Sequence, residues 1–185
     1  NYAFYFGATN DNIDEIRALD PKLTCGLKVF MGASTGNMLV DNESTLAAIF
    51  RDSPVLIATH CESTPMIMAN IKQAMEKYGQ NIPVTEHARI RSAEACYASS
   101  ELAVSLAERH GAQLHILHVS TARELDLFKP GPINGKNITA EACVHFLHFD
   151  DSDYERYGNL IKCNPAIKSA TDQAALFAAI TDGRL

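Results

Sequence analysis

The segment Gly26-Leu27-Lys28-Val29-Phe30-Met31-Gly32 places a lysine inside an apolar strand. An ammonium taken out of water is costly unless it is paired or neutralised, and a buried lysine shifts its pKa downward readily. The neutral amine can react with carbon dioxide to give a carbamate, an anionic oxygen ligand able to bridge two metal ions. Two further apolar strands end in histidine, Val55-Leu56-Ile57-Ala58-Thr59-His60 and Leu114-His115-Ile116-Leu117-His118. An isolated strand lysine is more often an edge residue or half of a salt bridge. Three strands of one chain that each deliver a metal-competent group shift the reading toward a metal site.

The elements that must hold these groups alternate along the chain. Strand candidates are Tyr2–Gly7, Thr24–Phe30, Val55–His60, Gln113–His118 and Ile138–Val144. Their apolar character is nearly continuous, as expected of parallel strands covered on both faces. Helical patterns lie between them: Asn12–Leu19, Asn42–Arg51 after Asp41, and Pro65–Tyr78 with Thr64 as N-cap and proline at the first helical position. Ser92–His110 follows and stops at Gly111, Ala122–Phe128 carries a capping box of Thr121 with Glu124, and a last helix covers roughly Ala170–Ile180. Such alternation predicts an α/β protein with a parallel sheet. A doubly wound sheet would carry a glycine-rich phosphate turn after its first strand, and Gly32-Ala33-Ser34-Thr35-Gly36 is neither GxGxxG nor a P-loop. In a (β/α)₈ barrel the reactive groups sit at the C-terminal ends of several strands, which is where Lys28, His60 and His118 fall. The barrel is the expected fold.

Composition narrows the function. The 185 residues are 46% hydrophobic and 21% charged, with net charge −6 and no basic run, so nucleic acid is not an expected partner. No apolar stretch is long enough to span a bilayer, and no signal peptide opens the sequence. The five cysteines, Cys25, Cys61, Cys96, Cys143 and Cys163, form no CxxC pair, which reads as reduced thiols in a cytoplasmic protein. Asn1 is not an initiator methionine, Tyr2–Phe6 reads as a strand already under way, and Ala178–Leu185 reads as a helix with its glycine stop. Both ends read as cuts through a larger domain.

Taken in order, Leu27-Lys28-Val29-Phe30-Met31-Gly32, Thr59-His60-Cys61-Glu62 and Leu117-His118-Val119-Ser120-Thr121 resemble successive strands of the cyclic amidohydrolases, the superfamily of dihydroorotase, hydantoinase and allantoinase. Tyr5-Phe6-Gly7-Ala8-Thr9 resembles the third strand of such a barrel. Glu86–Ala95 resembles the lead into the helix after the fifth strand, and Glu141-Ala142-Cys143-Val144-His145 the seventh strand and its exit. The resemblance implies a (β/α)₈ barrel of which residues 1–185 cover roughly the third to seventh strands, with a binuclear zinc centre. It implies Lys28 as the carboxylated bridging ligand and His60 and His118 as ligands of the second metal. The family's His-x-His and arginine of the first strand, and its aspartate of the eighth, have no counterpart here.

Within the superfamily, Lys162-Cys163-Asn164-Pro165-Ala166-Ile167-Lys168 resembles the Asn-Pro-Pro-Leu-Arg segment of dihydroorotases, and Lys28–Val40 resembles bacterial dihydroorotases with a bridging lysine. That implies reversible interconversion of dihydroorotate and N-carbamoyl-aspartate in pyrimidine biosynthesis by the complete enzyme. Asn164 is then a substrate contact and His145 a second candidate, although the family's His-His reads His145-Phe146 here. The alternatives are a hydantoinase or allantoinase, or a non-catalytic barrel homologue acting as an assembly partner. Expected partners are the small-molecule substrate and further copies of the chain.

The remaining candidates have plainer readings. His115 stands an odd number of residues before His118 and is expected on the opposite strand face, against the helices. His110 closes a helix, and His87 and His148 lie in loops. Glu62 reads as a carboxylate orienting a ligand, a helix cap or a surface group. Met66, Met68 and Met75 read as core packing, and Ser34-Thr35 as a lid or an ordinary turn.

Overall fold

Leu27, Val29, Ile57, Leu114 and Ile116 are fully buried, and they are alternate residues of adjacent strands. The computed structural model describes residues 2–32, 34 and 37–185. Among them, β1 (Tyr5–Gly7), β2 (Gly26–Phe30), β3 (Ile57–His60), β4 (Leu114–Ile116) and β5 (Ile138–Ala140) form one parallel sheet. Its spatial order is the order of the sequence, β1-β2-β3-β4-β5. A sheet that winds in one direction without reversing has no topological switch point, and this is the winding of a barrel rather than of a doubly wound fold.

The helices are α1 (Ile13–Arg17), α2 (Glu43–Asp52), α3 (Thr64–Tyr78), α4 (His87–Ile90), α5 (Ala93–His110), α6 (Val144–His148), α7 (Tyr154–Tyr157) and α8 (Ala170–Asp182). Ile16, Ile49, Phe50, Ala103, Ala107, Leu176 and Ala179 join the strand residues in one core. Each large aliphatic group buried there contributes about 1.5–3 kcal/mol. No helix among the described residues is long and apolar enough to cross a membrane.

Register decides which side chains share a face. Phe6, Leu27, Ile57, Leu114 and Ile138 form one row across the five strands, and Gly7, Lys28, Ala58, His115 and Thr139 form the next. The first row lies in the helix-covered core. The second belongs to the opposite face, so His115 shares a face with Lys28 and does not pack toward the helices. Its Nδ1 meets Thr139 Oγ1 at 2.8 Å and its Nε2 lies 3.3 Å from Glu141.

Several boundaries differ from the sequence expectation. The fifth strand stops at Ala140, and Val144 opens α6 instead. Asn42 caps α2 by accepting from the amides of Ser44 and Thr45, and Ser63 rather than Thr64 precedes α3. The Thr121–Glu124 pair is formed, at 2.9 Å, but it opens a 3₁₀ turn over Arg123–Leu127. Met68 and Met75 are exposed, because Ile67 and Ala74, one residue earlier on the same seven-residue spacing, face the core of α3. Of the Ser34-Thr35 turn, Thr35 lies outside the described residues.

Candidate metal and substrate site

Lys28 lies at mid-strand in β2, between Gly7 and Ala58 of the flanking strands, two of the smallest residues available. Its Nζ stands 4.4 Å from the centre of the Phe30 ring, two residues on along the same face. Burial holds its pKa down to about 8, against smaller upward pulls from Cys61 and Glu141. Roughly one amine in ten is therefore neutral at pH 7, far more than for an ordinary lysine.

His60 closes β3 beside Phe30, and its side chain is 5% exposed. His118 lies two residues beyond the end of β4 and has φ of 45°, a left-handed conformation rare outside glycine. Such a conformation costs about 1–3 kcal/mol and persists only where the surroundings over-determine it. Here it ends the alternation of the strand and turns the imidazole back toward β3. His60 Nδ1 and His118 Nε2 face each other at 3.1 Å, with the ring centres 4.8 Å apart. Burial, then the charges of His60, Lys28 and His145, hold His118 down to about 3, so it is a neutral imidazole at neutral pH. Lys28 and His60 lie on the same face of adjacent strands, two positions apart in register.

Among the described residues, no three His, Cys, Asp or Glu side chains converge to hold an ion by themselves. The donor chemistry present nonetheless fits part of a metal site: two converging imidazole nitrogens on consecutive strands, with a lysine of depressed pKa on the strand before them.

Two groups behind the pair carry more than the sequence reading gave them. Glu62 is fully buried, neither cap nor surface residue, and its Oε2 accepts from His60 Nε2 at 2.9 Å and from Arg91 Nη1. Arg91 has no signal of its own in the sequence, standing 29 residues from its partner. Gly32 permits the arrangement, since a Cβ there would fall 1.8 Å from the Glu62 carbonyl oxygen. Gly32→Ala is expected to cost about 1–3 kcal/mol through overpacking, read as a lower denaturation midpoint. A midpoint equal to wild type would refute this tight crossing.

His145 begins the second position of α6 and lines a cavity of about 240 Å³ with Phe149, Lys162, Cys163 and Ile167. Asn164 is exposed on the same segment, beside Cys163. The structure thus pairs His60 with His118, sets Lys28 on the same face of the neighbouring strand, and leaves Asn164 on the flanking loop that shares a cavity with His145. That loop is clamped from below. His87, buried at the start of α4 rather than loose in a loop, donates from Nε2 to the Cys163 carbonyl at 2.8 Å. The Tyr154 hydroxyl accepts from the Ile167 amide at 3.1 Å, and Lys168, also buried, donates to the Ala166 carbonyl at 2.9 Å. A separate cavity of about 300 Å³ beside Phe128 and Ile138 contains none of these groups.

No protein-family model matches the chain. An allantoinase of Deinococcus radiodurans is 29% identical over 100% of the chain and 42% of its own length. The L-hydantoinase (dihydropyrimidinase) structure from Arthrobacter aurescens superposes with a TM-score of 0.89 at 24% identity, again over 100% of the chain and 42% of that protein. The likeness is to the cyclic amidohydrolases. An inactive dihydroorotase-like domain of a Chaetomium thermophilum CAD-like multifunctional protein aligns less well, with a TM-score of 0.61 at 19% identity over 99% of the chain and 42% of the other. The chain therefore spans about two fifths of the proteins it matches, and the superposition establishes a partial barrel of α/β type.

Proposed function

We propose that the full-length protein carrying this chain is a metal-dependent hydrolase of cyclic amides of the hydantoin or allantoin type. The observation that carries this reading is the meeting of His60 Nδ1 and His118 Nε2 at 3.1 Å, with Lys28 on the same face of the adjacent strand. In this reading His60 and His118 would hold zinc, and Lys28, once carboxylated, would supply the anionic oxygen ligand. A pair of divalent ions bound there would polarise the ring carbonyl and acidify water at neutral pH. The chain's own part is to hold the ligands in place: β2, β3 and β4 are hydrogen-bonded neighbours, so their exits move as one body. His145 and the clamped 162–168 segment form the wall against which a small ring would rest.

The comparisons favour hydantoinase and allantoinase relatives over dihydroorotase. Dihydroorotate remains the second reading, on the strength of Asn164-Pro165 in a loop held by His87, Tyr154 and Lys168. Turnover of hydantoin, allantoin and dihydroorotate by the full-length protein separates the two. Hydrolysis of hydantoin or allantoin is expected, and hydrolysis of dihydroorotate alone would select the second reading. In either case Asn164→Ser is expected to raise KM more than it lowers kcat, because a contact to the ring edge is present in ground and transition states alike. An unchanged KM would remove Asn164 from the substrate wall.

A further inference from the structure

Glu62 is a carboxylate with no exposure, and such a charge is costly unless it is paired. Both of its bonds converge on one oxygen: Oε2 accepts from Arg91 Nη1 and from His60 Nε2. Oε1 has no hydrogen-bond partner among the described residues. A carboxylate serving only to anchor an arginine would offer both oxygens to the guanidinium fork. This one gives Arg91 a single bond and turns the same oxygen to the imidazole.

We propose that Glu62 and Arg91 are positioning residues that fix the tautomer of His60. The proposal rests on the metal-site reading above. A carboxylate oxygen already paired with Arg91 accepts, so a neutral imidazole at His60 carries its hydrogen on Nε2 and keeps its lone pair on Nδ1. That lone pair points at His118 Nε2, 3.1 Å away. Nδ1 is then the His60 nitrogen that would be open to a metal, on the side that faces His118. Arg91 pairs with the same Glu62 oxygen, and Gly32 lets the neighbouring strand exit pass directly over the Glu62 backbone. A carboxylate behind a metal-ligating histidine fixes its orientation and raises its basicity, and losing one costs roughly 10–100-fold in metal affinity.

The same contact could serve only to fasten β3 to α4. The two roles separate in the full-length protein freed of metal by chelation. Glu62→Leu with Arg91→Met replaces the buried pair by apolar groups of similar volume, an exchange often neutral for stability. With a fastening role alone, zinc affinity and the His60 tautomer stay as in wild type. With the positioning role, nitrogen-15 NMR of the metal-free wild type shows a solvent-protected Nε2–H on His60, and the double variant loses it. Zinc affinity, measured against a competing chelator, falls roughly 10–100-fold in that variant. Glu62→Gln retains an acceptor oxygen and restores the Nε2–H signal. An Nδ1–H on His60 in the metal-free wild type overturns the proposal whether or not any variant folds. Wild-type affinity in a folded double variant overturns it equally. A wild type that binds no zinc overturns the metal reading itself, while the His60 signal still decides whether Glu62 sets the tautomer.

Discussion

Lys28→Ala in the full-length protein is expected to abolish binding of the metal pair and, with it, hydrolysis of cyclic amides. The argument begins in β2, where Lys28 is placed by register between Gly7 and Ala58, on the face that also carries His115 and Thr139. Its flanking strand partners are small, the Phe30 ring lies 4.4 Å from its Nζ, and burial brings its pKa to about 8. An amine whose pKa is lowered toward neutrality is more readily deprotonated to take up carbon dioxide than an ordinary lysine, which at neutral pH is almost wholly an ammonium. Alanine removes the strand amine that would become the bridging anion beside the two imidazoles. The loss should exceed the roughly 10–100-fold that follows removal of a residue behind a ligand. Elemental analysis of purified protein measures the metal content, and hydantoin turnover measures the activity. Two tightly held ions per chain with normal turnover would end the carbamate assignment.

Most of the scaffold was legible because parallel strands buried on both faces leave nearly continuous apolar runs, and helices between them leave caps and glycine stops. What the sequence overran was the ends. Backbone pairing persists past β5, where the Glu141 amide reaches the Ile116 carbonyl and the Val119 amide reaches the Glu141 carbonyl. The strand geometry has already ended, and Val144 is helical. His115 was misplaced for a related reason. Counting by twos from His118 assumes a strand that continues to His118, but β4 stops at Ile116 and the left-handed turn at His118 resets the direction of the side chain.

The histidine pair could be read from strand ends alone. Its support could not. Glu62 was visible as a carboxylate two residues after His60, with three roles open, and only the fold shows it facing inward. Arg91, Lys168 and His87 act across 29, 48 and 76 residues of sequence, on Glu62, Ser120 and the Cys163 carbonyl respectively. No periodicity records such contacts, since each depends on how α4 and the 162–168 segment fold over the strand exits.

The 185-residue chain expressed by itself is expected to be inactive, nearly metal-free and self-associating. Among the described residues β1 and β5 are each paired on one side only, so the sheet has two open edges where a closed barrel has none. Tyr2, Phe4 and Tyr5 are 88%, 73% and 50% exposed at the β1 edge, and such surface favours association. The site has the same shortfall. His60, His118 and an uncarboxylated Lys28 give two imidazoles and an amine, and among the described residues no three His, Cys, Asp or Glu are placed to hold an ion together. A carbamate is retained when it bridges two ions, so weak metal binding and loss of the modification reinforce each other. Light scattering on the isolated chain measures its state of association. Native mass spectrometry and elemental analysis measure carboxylation and bound zinc. A soluble monomer that holds two zinc ions and opens a cyclic amide would show that these five strands suffice, and the reading of the site as part of a larger barrel centre would fall.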